Sequence, residues 1–152
     1  MDTLIDYKQL VEALADAVIV ADAGGAIRFW NSAAEWLFGF TQAEACGKSL
    51  DLIVPERFRE RHWAGYKSTM ASGQTRYSHD VLRVPAVHRD GRPLSIAFTV
   101  GLLYGPQGNV SGILAVIRDE TARFAEDKDI RKRLAEFEQR ERVTATEAPT
   151  LK

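Results

Sequence analysis

A single cysteine, Cys46, is all the sequence offers for thiol chemistry, which excludes an internal disulfide. Histidines stand only at positions 62, 79 and 88, too scattered to complete a thiolate metal cluster around it. Long hydrophobic runs are also missing. None reaches the length that crosses a bilayer, and the polar start MDTLIDYKQ has no signal-peptide character, so a cytoplasmic protein with no membrane partner is expected. Nor does charge of one sign dominate: Lys and Arg number 20 against 21 Asp and Glu, which gives nucleic acid no electrostatic reason to bind. Nucleophile elbow, phosphate-cradling glycine loop, paired metal-ligand histidines and kinase or cyclase segments are all absent, so no enzymatic activity is expected. What is present is an ordinary globule: 45% hydrophobic and 27% charged residues in a 152-residue chain fit one domain with short tails and no repeat.

The chain is organised around residues 55–73, PERFRERHWAGYKSTMASG, which the pattern predicts as a helix. Pro55 suits a first helical turn, and Gly73 suits the left-handed residue that ends one. Counting from His62 by three, four, seven and eight reaches Gly65, Tyr66, Thr69 and Met70, which places His62 on the inward face while Arg57, Arg59, Glu60, Arg61 and Lys67 mostly point elsewhere. An imidazole aimed into an apolar groove, beside a glycine that lets a flat group approach the backbone, meets the needs of an axial haem ligand. A histidine satisfied by a nearby carbonyl would look the same.

Around this helix the pattern alternates between periods. Leu10, Val11 and Leu14 make a short amphipathic helix over 7–14; 17–21 and 26–30 form a strand hairpin about Asp22-Ala23-Gly24-Gly25. Asn31-Ser32 can cap a helix over 33–38, and Thr41 with Glu44 has capping-box spacing. After Gly73 the period becomes two: a long strand over 76–87, a turn at Asp90-Gly91, a strand over 94–103 with Leu94, Ile96, Phe98, Val100 and Leu102 on one face, and a central strand over 110–117. From Asp119 the chain turns polar and helical, with Ile130, Leu134 and Phe137 in a stripe too thin for a core helix and suited to a coiled coil or another subunit; 143–152 loses all pattern and is expected to be disordered.

Taken together and in order, DAVIVADAGGAIRFWNSAAEWLFGF, the stretch from QAEACGKSL to VPERFRERH, HRDGRPL and GNVSGILAVIRDET resemble a PAS domain over 16–121. The resemblance implies an α+β fold: a five-stranded antiparallel sheet with short helices on one face, a flanking helix in 1–15, and a signalling or dimerisation helix over 122–142 entered at Asp119-Glu120-Thr121. Within that family the residues are most similar to haem-binding oxygen-sensor domains of nitrogen-fixation histidine kinases. Arg59, His62, Met70, Gly73, Asp90 and Gly91 fall in matching places without a gap. This implies b-type haem held by His62, with Tyr66 and Met70 beside it, Phe98 and Val100 as a distal apolar wall, and Arg76 near a propionate.

The resemblance further implies a diatomic gas ligand (oxygen, carbon monoxide or nitric oxide) or a redox signal, a homodimer, and an effector such as a histidine kinase in cis or in trans. The competing readings are a cofactor-free interaction module or small-metabolite sensor, and a flavin-binding (FAD) redox sensor. One departure is plain. Where those sensors carry an arginine over the gas ligand this chain has Leu82, and the neighbouring Arg83 can replace it only if a bulge intervenes. Asp80 stands where related sensors place a methionine, and His79 is a substitute on spacing alone. Cys46 is read as a packing residue, and Trp30, Trp36 and Trp63 as core or interface residues.

Overall fold

The computed structural model describes residues 4–147, which form two compact units meeting in sequence after Asp119. The first opens with α1, Tyr7–Glu12, whose N-terminus is capped by the Asp6 carboxylate accepting from Lys8 and Gln9 N–H groups at 3.1 Å. Strands β1 (Ala17–Asp22) and β2 (Ile27–Trp30) follow as the expected hairpin. Next come α2 (Ser32–Phe38), capped by Asn31, and α3 (Gln42–Ala45), where Thr41 and Glu44 form the anticipated capping box. After 3₁₀ turns at Leu50–Leu52 and Glu56–Phe58, α4 spans Arg59–Ser72. Strands β3 (Leu82–Val87), β4 (Pro93–Tyr104) and β5 (Val110–Asp119) complete the unit. The second unit is α5, Thr121–Glu147. No helix among the described residues is long and apolar enough to cross a membrane.

All five strands pair antiparallel in the order β2-β1-β5-β4-β3, so the last strand lies in the middle beside the first. Directly opposed residues in such a ladder share a face. One row therefore runs Ala17, Ile117, Phe98, Leu82 across four strands, and the next contains Ile19, Ala115 and Val100. This is the face that packs on the helical side. Ala17, Ile19, Ile117, Ile96 and Leu94 join Ile27, Trp30, Ala34, Leu37, Phe38, Ala45 and Ile53 in one buried cluster. Trp30 is fully buried, 5.5 Å from the Phe38 ring, and its indole N–H donates to the Phe40 carbonyl at 3.0 Å. Cys46 packs half-buried against the same cluster, as a small filler.

Three expectations need correction. The strand expected over 76–87 begins only at Leu82, because Thr75 accepts from the Tyr77 N–H and folds Arg76–Ser78 into a 3₁₀ turn. Pro55 sits one position before a 3₁₀ turn, not in the first turn of α4, although Gly73 does end that helix in the left-handed conformation at φ 65°. Helix α5 continues through Glu147, into the 143–152 stretch expected to be disordered. There Thr144 and Thr146 bond back to the carbonyls of Arg140 and Arg142 at 2.9 and 2.8 Å. Residues 148–152 lie outside the described residues.

Candidate functional site

Helix α4 buries a stripe of His62, Trp63, Tyr66, Thr69 and Met70, centred on Tyr66, the one fully buried member. At 100° per residue these five span less than half the circumference, and Gly65 falls outside the arc. Gly65 is exposed, which corrects its expected inward place, and Trp63 takes it instead. Three rings of the stripe touch. His62 lies edge-on to Trp63 with centroids 4.8 Å apart, Trp63 to Tyr66 is 5.3 Å, and His62 to Tyr66 is 6.0 Å.

The turn between β1 and β2 receives this aromatic group. Gly25 has φ 85°, and a Cβ built there would lie 2.1 Å from a ring carbon of Trp63, so the indole rests on bare backbone. The Trp63 indole N–H donates to Asp51 Oδ1 at 2.7 Å, and Arg59 donates to the carbonyls of Val54 and Asp51 at 3.1 and 3.3 Å. The Tyr66 hydroxyl donates to the Asp22 carbonyl. Asp22 in turn holds its hairpin: its carboxylate accepts from the N–H groups of Ala26 and Gly24 at 3.0 Å and from Arg28 at 2.7 Å. Those bonds, the Ala26 N–H foremost, keep its pKa below the ordinary carboxylate value. Only Gly24-Gly25 was legible as a turn; nothing in the sequence says that Trp63 crosses 38 residues to cover it.

His62 itself carries an unresolved need. Its Nδ1 is buried and has no hydrogen-bond partner among the described residues. Burial lowers its pKa, against a weaker opposing pull from Asp51, so the ring is held neutral near pH 7. A neutral imidazole is the form that binds metals. The sign of the pH dependence follows. Because the folded pKa lies below the unfolded value of about 6.5, the unfolded chain takes up the proton first and stability falls as pH drops through that value. The urea midpoint is expected to drop further between pH 7.5 and 5.5 in the unmodified protein than in His62→Gln; equal drops would refute the assignment.

The other predicted residues divide. Leu82 and Phe98 stand opposite each other across β3 and β4, and Val100 follows on the same face; all three are half-buried, as is Met70 on α4. The sheet thus presents Leu82, Phe98 and Val100 as one half-buried apolar patch. Arg76 lies in the 3₁₀ turn after α4, and its side chain is outside what the structure describes. Arg83 pairs with Ala97 in an unbroken ladder, which puts it on the face opposite Leu82 and removes it as the substitute donor. His79 and Asp80 are exposed. His88 packs on Gly39 and accepts from the Asp90 N–H at 3.1 Å, away from α4. No group of three or more His, Cys, Asp or Glu side chains among the described residues is placed to hold a metal ion.

Comparison with known proteins places this geometry. The family model described as the PAS fold matches residues 5–119. The sensor protein FixL of Bradyrhizobium diazoefficiens is 38% identical over 55 residues, 36% of this chain and 11% of that protein. The oxygen sensor protein DosP of Escherichia coli is 24% identical over 127 residues, 84% of this chain and 16% of that protein. The chain therefore spans less than a fifth of the length of either relative. Among solved structures, the crystal structure of the PAS domain of a Colwellia psychrerythraea protein superposes with a TM-score of 0.67 at 22% identity, covering 76% of this chain and 95% of that one.

Proposed function

This chain belongs to the PAS family and is a sensory domain of that fold; from that premise we propose that it binds b-type haem through His62 and reports a diatomic gas or a redox state to an effector such as a histidine kinase, in cis or in trans. One observation carries the reading: the buried, neutral imidazole whose Nδ1 has no partner among the described residues. Leaving such a nitrogen unsatisfied costs about 1–3 kcal/mol, an arrangement that persists where a bound group uses the ring. The residues present fit the cofactor's donor chemistry. His62 would supply the axial nitrogen, and Met70, Leu82, Phe98 and Val100 an apolar surround that limits water. When bound, haem supplies an iron centre for the gas or the electron. With Leu82 in place of an arginine and Arg83 on the other face, neither position gives the wall a charged donor, which favours less polar gas ligands.

A second reading rests on Trp63 and Tyr66. Both are pinned on the β1–β2 turn, where they fill space between α4 and the hairpin, as a cofactor-free interaction module would. Titration of the purified protein with ferric haem separates the two. Saturation near one haem per chain with a sharp Soret band supports the sensor reading; a featureless, non-saturating change supports the module, and an as-purified yellow protein with a flavin spectrum overturns both.

A further inference from the structure

Side chains on adjacent helical positions leave the axis about 100° apart and do not face each other, so α4 by itself gives His62 and Trp63 no reason to touch. Yet their rings meet edge-on, with an interplanar angle of 77°. Contacts outside the helix turn the indole towards the imidazole. The Asp51 carboxylate, on the 3₁₀ turn Leu50–Leu52, accepts the indole N–H at 2.7 Å, and Gly25 offers the ring a seat that any Cβ would close. Arg59 secures that turn: it donates to the carbonyls of Val54 and Asp51, and its Nε lies 3.9 Å from the same Asp51 Oδ1. The pin is therefore itself held.

A histidine that serves a metal ordinarily has its ring orientation fixed by a hydrogen bond to the nitrogen that does not bind the metal. No described residue bonds to Nδ1 of His62, so ring contacts must set its orientation instead. Of the two neighbouring rings, Tyr66 is the more distant, at 6.0 Å against 4.8 Å for Trp63, and it packs on Trp63 in turn. We propose that Trp63 is a positioning residue for His62: pinned by Asp51 and seated on Gly25, it sets the orientation of the imidazole that the proposed function assigns to the haem iron. The inference rests on that reading. It makes Asp51 the outer support of the site, acting through the indole and not through its own charge.

Two substitutions of Asp51 test this while both rings stay in place. Asp51→Ala removes the acceptor for the indole; Asp51→Asn keeps a carbonyl acceptor and removes the charge. Side-chain NMR of the full chain without haem reads the first arm. Parent and Asp51→Asn are expected to show Overhauser contacts between the His62 and Trp63 rings and a single His62 rotamer, whereas Asp51→Ala loses the contacts and averages the rotamer couplings. Titration with ferric haem supplies the second arm: Asp51→Ala and Trp63→Leu should still take up one haem per chain, with affinity lowered about 10–100-fold and a shifted iron–imidazole vibration, and Asp51→Asn should match the parent. Should Trp63→Leu not fold, the Asp51 pair carries the same test. A Trp63 that merely fills space would lower the urea midpoint of Trp63→Leu and leave the His62 rotamer and the vibration of Asp51→Ala at their parent values, which overturns the proposal. Asp51→Asn behaving like Asp51→Ala overturns it too, because charge and not the bond to the indole would then be what matters. A parent that takes up no haem removes the cofactor assignment, and the haem-free spectra decide by themselves whether Trp63 orients His62, so the two failures are separately visible.

Discussion

Replacing His62 by alanine is expected to abolish stoichiometric haem binding, reducing affinity by more than about 100-fold. Loss of a group that merely supports a metal ligand costs about 10–100-fold, and His62 is the ligand itself. Among the described residues no other histidine can take over. His79 is exposed beyond the end of α4, and His88 is committed to Gly39 and Asp90 on the hairpin between β3 and β4. The fold should survive the change, because the alanine leaves Trp63 on Gly25 and Tyr66 on Asp22 in place and removes an unsatisfied nitrogen. Far-ultraviolet circular dichroism is expected to match the parent. His62→Gly sharpens the test: free imidazole added with ferric haem should restore the Soret spectrum by occupying the vacated volume. A full haem spectrum in His62→Ala, or no recovery with imidazole in a folded His62→Gly, would falsify the ligand assignment.

The parts of the fold that local chemistry dictates were legible in the sequence. Asp22 to Gly25, the Thr41–Glu44 box, Gly73 and the alternation along β4 each need only a few neighbours to act, and each appears where the pattern puts it. What was misread depends on partners far along the chain. A strand over 76–81 looked reasonable until Thr75 claimed the Tyr77 N–H, and beyond Phe98 strand β4 pairs only with β5. On α4 the periodicity was correct but one member of the stripe was not, Gly65 in place of Trp63, since the arc is fixed by the hairpin that Trp63 and Tyr66 meet and not by the helix alone. The same applies to Arg83. Its neighbour relation to Leu82 suggested a shifted donor, and only the regular pairing with Ala97 decides which face it takes.

Asn31 is the largest case of a role that spacing understated, and its replacement carries the largest expected loss of stability. Read from the sequence as a helix cap, it is 0% exposed and makes four hydrogen bonds. Its Oδ1 accepts from the N–H groups of Val18 at 2.8 Å and Ala34 at 3.0 Å, while its Nδ2 donates to the carbonyls of Val11 at 3.0 Å and Asp16 at 3.1 Å. One amide thus ties the end of α1, the start of β1 and the first turn of α2. Ser32 adds to the link, its hydroxyl donating to the Glu12 carbonyl at 2.9 Å. Asn31→Leu leaves the buried Val18 N–H unpaired, at about 1–3 kcal/mol, removes a cap worth about 1 kcal/mol, and takes a donor from the part-buried Val11 and Asp16 carbonyls. A total loss of about 3–5 kcal/mol is expected, a large share of the 5–15 kcal/mol typical of a domain. Asn31→Asp separates the two halves of the role. It keeps the acceptor for Val18 and Ala34 but turns a second oxygen on the Val11 and Asp16 carbonyls, so α2 should stay capped while the N-terminal flank loosens. Urea unfolding gives the totals, and amide exchange at residues 7–16 reads the flank. A loss under about 1 kcal/mol in Asn31→Leu, or equal protection of 7–16 in Asn31→Asp and the parent, would show that α1 is held by other contacts and that Asn31 does not couple the flank to the sheet.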